Sequence, residues 1–278
     1  MHGMWAVCRR EFASYFITPM GYIVVGAYTL ITGLGFVASF LYFSRITRSP
    51  ADFNYPAVPD LEEVMLSPYL VFTGQVMLFL APLITMWLLA EERNRGTMEL
   101  LLTYPLRDRD IILGKYLASL GVALVMMSSV AVHLGIVAYY APVEPAVLIF
   151  GLLAVFMMSA AFLSIGLFVS SFTRSPVSAA TISFGAFFVS YVLGSLGKDL
   201  AEGNPAPDAW PEQARLAVGF FYRVFRQLVL ELPIDAHARN MAQGIVEPQD
   251  IAYYLLVTGF FLFLTFRVLD ARRWRAVS

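Results

Sequence analysis

The sequence predicts an all-α protein that crosses a membrane six times. Hydrophobic residues make up 59% of its 278 residues and charged residues only 14%, whereas soluble domains contain roughly 45–50% apolar and 25% charged residues. The mean hydropathy is +0.69. Long stretches carry no charge, and their apolar residues run continuously, which is typical of spanning helices; barrel strands alternate over roughly ten residues. A water-soluble globule is therefore excluded.

Charge, cysteine and histidine content exclude further classes. The 20 acidic residues nearly balance the 19 basic ones, so the charge gives no reason to expect a nucleic-acid partner. Cys8 is the single cysteine of the chain, which permits no disulfide within it. The three histidines are far apart in the sequence and do not form the spacing of a Cys/His metal site. We therefore expect no metal and no nucleic acid.

The first predicted element is an N-terminal interfacial helix over about residues 4–18. Apolar residues recur there at helical spacing, charged residues occupy the other face, and Pro19 ends the pattern, as in an amphipathic helix that lies in the membrane interface. An extension of the first span is the alternative. A signal peptide is excluded because the apolar stretch is too long. The apolar positions are Trp5, Cys8, Phe12, Tyr15 and Phe16.

Six spans follow from the spacing of charges. Crossing the hydrocarbon takes about 20 apolar residues, and five charge-free stretches have 23 residues or more. The last run, Ile251 to Phe266, is shorter, but the side chain of Arg267 can reach the interface and so extend it. No repeat or linker divides residues 1–278, which we interpret as a single transmembrane domain. The spans cover about residues 20–43, 69–90, 112–140, 146–172, 177–197 and 251–269.

The distribution of charge predicts the orientation. An even number of spans places four segments on one side of the membrane. These four segments contain 12 basic and seven acidic residues, whereas the other segments contain seven basic and 13 acidic residues. The positive-inside rule places the basic side, with both termini, in the cytoplasm. The four segments are Met1–Glu11, Glu91–Lys115, Thr173–Pro176 and Arg267–Ser278.

The outer segment, residues 198–250, is long enough for structure of its own. It begins with a proline-rich stretch and then turns helical, and Arg223 and Arg226 argue against a seventh span. Its apolar stripe is typical of a helix that rests against the outer face of the bundle. The segment is interpreted as an external gate or docking surface, or as a packed surface helix. The stripe contains Leu216, Phe220, Phe221, Val224, Leu228 and Leu232.

The loop between spans two and three has the most specific pattern. Gly96 breaks the chain, and Thr97 can cap the helix that follows. Glu99 lies favourably in the first turn of that helix, and Pro105 blocks its continuation. The pattern predicts a short amphipathic helix parallel to the membrane. Its apolar residues available to another protein are Met98, Leu101 and Leu102.

The sequence contains neither a P-loop nor a complete protease pattern. Gly114-Lys115 and Gly197-Lys198 lack the glycine and the Ser or Thr that a P-loop needs. Glu91-Glu92 followed by Arg95 resembles a signature of intramembrane proteases, but the arginine is one residue too close. A membrane histidine such as His133 more often bonds to another helix. We expect no catalytic residues, and we expect Gln75 and His133 to face a path or a subunit interface, with helix packing as the alternative.

The run from Glu91 through Pro105 to Gly114-Lys115 resembles the first cytoplasmic loop of type-2 ABC transporter permeases. Arg10-Glu11-Phe12 before the first span and Arg272-Arg273-Trp274-Arg275 at the end extend the resemblance. Within these permeases the chain is most similar to the gliding-motility group. Copper-maturation permeases, with a match to Leu102-Thr103-Tyr104-Pro105-Leu106, are the nearest alternative.

The resemblance implies a permease subunit of an ATP-driven exporter in the bacterial cytoplasmic (inner) membrane. It implies a second permease subunit, identical or related, and two copies of a separate ABC ATPase that binds ATP and Mg, so that this chain needs no cofactor. A periplasmic or membrane auxiliary protein is a further expected partner. The sequence does not identify the substrate. A non-transporting scaffold or a mechanotransmission subunit is the alternative.

The resemblance also assigns the charged loop a role in coupling. It implies that this loop docks into the ATPase and transmits its closure to spans two and three. A charged turn that merely obeys the positive-inside rule is the alternative. The residues are Glu91, Glu92, Arg93, Gly96, Thr97, Glu99, Leu100 and Pro105.

Overall fold

A computed structural model of the chain describes residues 2–53, 59–94, 96, 107–197, 200–201, 203–207 and 210–277. Within these ranges the chain is helical and contains no strand, which confirms the all-α prediction. A 3-10 turn spans Pro50–Phe53, and a π-helical stretch spans Glu62–Leu66. The α-helices are α1 His2–Ile17, α2 Pro19–Arg48, α3 Ser67–Thr85, α4 Ala90–Asn94, α5 Asp108–Tyr140, α6 Pro145–Phe172, α7 Pro176–Gly197, α8 Glu212–Glu231, α9 Ala238–Ala242 and α10 Pro248–Val277.

Six helical segments in the described part of the chain are long and apolar enough to cross a membrane, as predicted. The second extends without a long break from the π-helical stretch through α3 to α4, and the last ends at Ala271. The first reaches Arg48, about one turn beyond the predicted boundary. The six segments are Pro19–Arg48, Glu62–Asn94, Asp108–Tyr140, Pro145–Phe172, Pro176–Gly197 and Pro248–Ala271.

The corner between α1 and α2 separates the N-terminal helix from the first span. Thr18 has extended backbone angles, φ −92° and ψ 152°, and Pro19 has no N–H to continue the ladder of α1. A Cβ on Gly21 would lie 2.3 Å from the carbonyl oxygen of Tyr15, so the corner is tight. The alternative of one continuous helix is therefore wrong.

The second and fourth spans form the centre of the bundle. Of the residues in their most apolar stretches, 61% and 56% are buried, compared with 17% in α2 and α7 and 11% in α10. Close approach at this centre requires a glycine, because a Cβ on Gly166 of α6 would lie 2.2 Å from Oγ1 of Thr85 in α3. The outer spans instead expose their apolar side chains, as expected for surfaces that face lipid.

The bundle has two chemically distinct ends. We call the end with α1, α4 and the beginning of α5 the basic end, because its sequence segments contain the excess of Arg and Lys. At the opposite end, here the acidic end, the carboxylate of Glu62 accepts a hydrogen bond from the backbone N–H of Glu144 (2.7 Å). His237 lies 2.8 Å from Asp250 at this end, and Met241 and Ala242 of α9 are fully buried between α3 and α6.

The outer segment differs from its prediction in one respect. Its helix forms as α8, but the apolar stripe does not rest against the bundle. Each of the six stripe residues is exposed, by 44% to 71%. The expectation of a stripe packed on the outer face of this chain is therefore wrong. An amphipathic pattern shows which residues share a face, but the pattern itself does not determine what that face contacts.

Candidate functional site

A cavity of about 600 Å³ opens at the basic end, where four parts of the chain meet. Helix α1 contributes Glu11 and Tyr15, the corner after α3 contributes Trp87, and α4 contributes Glu91 and Glu92. The beginning of α5 adds Lys115, which is described below. The cavity is therefore lined by both apolar and charged side chains.

Lys115 connects three of these parts, namely α1, α4 and its own helix α5. Its Nζ lies 3.0 Å from Oε1 of Glu11 and 2.9 Å from Oε1 of Glu92. The lysine side chain is only 1% exposed, and the two carboxylates are 14% and 18% exposed. Arg10 adds a second cation, whose Nη2 lies 2.7 Å from Oε1 of Glu11 and 3.8 Å from Oε1 of Glu92. These four residues, which we call the charge cluster, join α1, α4 and α5.

The pKa of Glu11 shows how the charge cluster compensates for burial. Burial alone raises the pKa of this carboxyl, but the ammonium of Lys115 and the guanidinium of Arg10 stabilise the carboxylate and outweigh burial. The net result is a pKa below the ordinary value of 4.5. Glu11 is therefore ionised at neutral pH and holds the buried lysine as its counter-ion.

Tyr15 ties α1 to the end of α3. Its hydroxyl donates a hydrogen bond to the carbonyl oxygen of Ile84 (2.6 Å), and burial raises the pKa of this phenol well above its ordinary value. The group therefore stays protonated and remains a donor. The side chain is buried, with an exposed fraction of 7%. Helix α1 is thus fixed to α3 by a neutral bond and to α5 by the charge cluster.

The corner between α3 and α4 is stabilised by a hydroxyl of another span. Helix α3 ends at Thr85, within the stretch predicted as span two, and the chain turns through Met86 to Leu89. The backbone N–H groups of Leu89 and Ala90 donate to Oγ of Ser170, at 3.1 and 2.9 Å. Buried amides that leave a helix need such a partner. Ser170 of α6 therefore satisfies both amides and holds the beginning of α4.

Arg93 joins α4 to the end of α6. Its Nη1 donates to the carbonyl oxygens of Thr173 (2.7 Å) and Ser171 (3.2 Å). The last carbonyls of a helix have no partner within it, and a cation there is favoured by the helix dipole. Arg93 therefore caps α6. Together with the charge cluster and Ser170, it connects the five-residue helix α4 to α1, α5 and α6.

Some of the residues that were predicted to couple to an ATPase lie among the described residues, and the others lie outside them. Glu91, Glu92 and Arg93 lie on α4, before the helix expected after Gly96. Gly96 has φ +69° and is exposed, so it adopts the left-handed conformation that suits a chain break and that glycine tolerates best. Four predicted residues lie outside the described residues: Thr97, Glu99, Leu100 and Pro105.

The two polar residues singled out within the spans lie away from the charge cluster. Nδ1 of His133 in α5 shares a hydrogen bond with the hydroxyl of Tyr69 (2.6 Å). The imidazole ring also stacks on Phe36, with ring centroids 4.8 Å apart. This is the bond between helices that a single membrane histidine more often makes. Gln75 is half-buried in α3. Whether either residue faces a subunit interface stays a prediction.

Sequence reasoning missed the central residue of the site. In the sequence, Lys115 stands out only in the pair Gly114-Lys115, which lacks the pattern of a P-loop and ends the resemblance to the permease loop. One signal in the sequence could have identified Lys115. A lysine near the end of a span needs an anion as partner, and Glu11 and Glu92 flank spans on the same side of the membrane. Ser170 gave no such signal, since serines that only bond within their own helix are common in membranes.

The arrangement is a set of contacts between helices. Among the described residues, no group of three or more His, Cys, Asp or Glu side chains could hold a metal ion. What the site offers instead is a short charged helix fixed by side-chain bonds to three longer helices. A force on α4 is therefore passed on to α1, α5 and α6.

Comparison with known proteins identifies a family. The model of a family described as ABC-2 family transporter protein matches residues 5–272, nearly the whole chain. No curated protein matches the chain significantly.

Proposed function

Because this chain belongs to the ABC-2 transporter membrane family, we propose that α4 and the loop after it receive the force of a separate ATPase in an exporter. Membership makes the chain a multi-pass permease subunit of an ABC transporter, which is not itself an ATPase and which implies an ABC ATPase as partner.

One observation carries the proposal, namely the attachment of α4 to three helices. Glu92 is bound to Lys115 of α5 (2.9 Å), and Arg93 to the last carbonyls of α6. A partner that pushes on this helix moves two spans together, without any covalent chemistry in this chain. We assign docking to Glu91, Glu92, Arg93 and Gly96, and to four residues outside the described part of the chain: Thr97, Glu99, Leu100 and Pro105.

The assembly that we propose follows the family. Two permease subunits, identical or related, enclose the path, and two ATPase subunits bind ATP and Mg beneath them. The basic end, with both termini, lies in the cytoplasm of a bacterial cell, as the excess of Arg and Lys supports. Gln75 and His133 are assigned to the path or to the interface between the permeases. The finer placement is with gliding-motility permeases, and an auxiliary envelope protein is a further partner.

Recovery of partners tests the proposal directly. Tagged chain is purified from gently solubilised native membranes, its partners are identified by mass spectrometry, and ATP hydrolysis is measured in the eluate. We expect a P-loop ATPase and hydrolysis that responds to the permease. Repeated absence of any ATPase from folded chain would overturn the proposal and favour a scaffold.

Charge reversal then tests the docking site. Glu91→Lys and Glu99→Lys are expected to lower both ATPase recovery and coupled hydrolysis. Asp52→Lys, an exposed acidic residue on the 3-10 turn at the acidic end, is the matched control and should leave both unchanged. Full coupled activity in both Glu91→Lys and Glu99→Lys contradicts the assignment of the docking site. An ATPase that binds and hydrolyses normally while no cargo moves would point to mechanical work.

A further inference from the structure

His237, which directly precedes α9, has an acceptor at each ring nitrogen. Nε2 lies 3.1 Å from the carbonyl oxygen of Glu231, the last residue of α8. Nδ1 lies 2.8 Å from Oδ1 of Asp250, in the first turn of α10. The side chain of His237 is 10% exposed and that of Asp250 is 4% exposed. The imidazole therefore joins the end of α8 to the beginning of α10 at the acidic end, and we call these three residues the histidine clamp.

The two contacts of the imidazole require two hydrogens. A carbonyl oxygen only accepts a hydrogen bond, so Nε2 must carry a hydrogen. The contact between Nδ1 and the carboxyl oxygen needs a second hydrogen, whichever of the two atoms carries it. A neutral imidazole beside an ionised carboxylate has one hydrogen for both contacts, so a nitrogen lone pair would then face an oxygen lone pair. Loss of a proton therefore removes one of the two contacts.

The carboxyl of Asp250 depends on the same proton. Its Oδ2 is buried and has no hydrogen-bond partner among the residues that the structure describes. Burial of an ionised carboxylate is costly unless donors surround it. Removal of the proton shared with His237 therefore leaves Asp250 buried and short of donors, which favours separation of α8 from α10.

Charged and titratable groups lie near the imidazole on each neighbouring element. From α8, Oε2 of Glu231 lies 3.7 Å from Nε2. From α10, Tyr253 stacks on the imidazole with ring centroids 4.0 Å apart, an arrangement that attracts a cation, and Tyr254 lies edge-on at 6.4 Å. The buried carboxylate of Asp235 acts electrostatically on both tyrosines, and Arg239 of α9 is half-buried two positions after the histidine. An added proton therefore has carboxylates and aromatic faces beside it.

Two tyrosines provide contacts next to the clamp that keep their hydrogens. The hydroxyl of Tyr253 donates to the carbonyl oxygen of Leu232 (2.7 Å), and that of Tyr254 donates to the carbonyl oxygen of Ile234 (2.7 Å). A phenol keeps its hydrogen below about pH 10, whereas histidine side chains ordinarily change charge between about pH 5 and 8. In that range the two tyrosine bonds therefore persist while the contacts of the clamp change.

We propose that the histidine clamp is a pH-dependent switch, which holds α8 to α10 when it is protonated and releases the end of α8 as the pH rises. The direction follows from the hydrogens, because the protonated clamp makes both contacts and the deprotonated clamp makes one. Helix α9 stays in place through the buried Met241 and Ala242. In the orientation proposed above, the switch responds to the pH outside the cell. The contacts of the clamp do not depend on the proposed ATPase partner.

The mobility of a spin label on α8 tests the switch. The full chain, with Cys8→Ser to remove the native thiol, is labelled at Leu228→Cys, an exposed position in the last turn of α8, and placed in lipid nanodiscs. We expect a several-fold increase in label mobility between about pH 5 and 8. His237→Gln, whose side chain does not titrate, should abolish this dependence. Tyr253→Phe is the matched control, because it keeps the stacked ring but loses a neutral hydrogen bond, so mobility should rise at every pH and keep its pH dependence.

Nitrogen NMR of isotope-labelled histidine is the second measurement, and it decides the question if His237→Gln does not fold. The signals of the other two histidines are assigned with His2→Gln and His133→Gln. We expect the ring-nitrogen shifts of His237 to move between about pH 5 and 8 as the clamp loses its proton. Constant shifts over this range overturn the proposal. A label mobility that is constant, that changes equally in His237→Gln, or that loses its pH dependence in Tyr253→Phe overturns it as well.

Discussion

Lys115 and Glu92 form an ion pair that is almost closed to water, with Nζ 2.9 Å from Oε1 and exposed fractions of 1% and 18%. The pair joins the short helix α4 to the third span across 23 positions of sequence. Since Glu11 binds the same ammonium at 3.0 Å, the two carboxylates share this buried lysine, with the more exposed Arg10 as a second cation.

Removal of the lysine charge is expected to destabilise the basic end. Lys115→Met leaves Glu11 and Glu92 close together with only the more exposed Arg10 as a cation, and breaking a buried pair costs at most about 3–5 kcal/mol. Lys115→Arg keeps the charge and should cost less. The unfolding temperature of the purified complex in detergent measures both variants. Equal temperatures for Lys115→Met and wild type would show that the charge cluster contributes nothing to stability.

Acidification is expected to remove the contribution of Glu11. Its folded pKa lies below the ordinary value of 4.5, because Lys115 and Arg10 outweigh burial. A depressed pKa contributes stability that is complete above the unfolded value and is lost as the pH falls through the folded value. The unfolding temperature of wild type should therefore drop more steeply below pH 4.5 than that of Glu11→Gln. Parallel curves over this range contradict the assignment, and near pH 7 we expect no pH dependence from this group.

Loss of the cap on α6 is expected to loosen α4. Arg93→Ala removes two hydrogen bonds from a charged donor to the carbonyls of Ser171 and Thr173, and a hydrogen bond to a charged group contributes about 1.5–3 kcal/mol. Arg174→Ala, one residue past these carbonyls and exposed, is the control and should change little. Hydrogen exchange of the amides of α4 measures the effect. Equal exchange in both variants would show that Arg93 does not hold this helix.

A methyl group at the centre of the bundle is expected to separate spans two and four. In Gly166→Ala the new Cβ would lie 2.2 Å from Oγ1 of Thr85, and overpacking of a well-packed core costs about 1–3 kcal/mol. Gly185→Ala is a matched control, because nothing lies within 4 Å of its Cβ position. Unfolding temperatures compare the two. A Gly166→Ala variant as stable as the control would contradict the close contact.

The sequence was sufficient to predict the spans, because hydrocarbon imposes its requirement on each segment separately. A charge-free run long enough to cross is detectable without knowledge of its neighbours, and all six predicted runs occur as helices. The charge cluster could not be predicted in this way. Glu11, Glu92 and Lys115 lie on three different elements, so their meeting depends on how the helices pack.

Two local features also needed the structure. The end of α3 at Thr85 is not marked by a breaking residue at that point, and the freed amides are satisfied only because Ser170 of α6 lies beside them. The apolar stripe of α8 was evident from spacing, but its direction was not. In water an apolar face turns inward, whereas in a membrane protein it is equally stable against lipid.

The hydroxyl of Ser170 couples the corner before α4 to the fourth span. Two successive amides there are bound by one side chain of α6 and not by the backbone ladder of α3. Each of these hydrogen bonds contributes about 0.5–1.5 kcal/mol, and the ion pair of Glu92 with Lys115 and the bonds of Arg93 hold the rest of α4. The backbone connects α4 to α3, but its side-chain bonds keep it in register with α5 and α6, so a displacement of α4 is shared among three spans instead of being taken up at the corner.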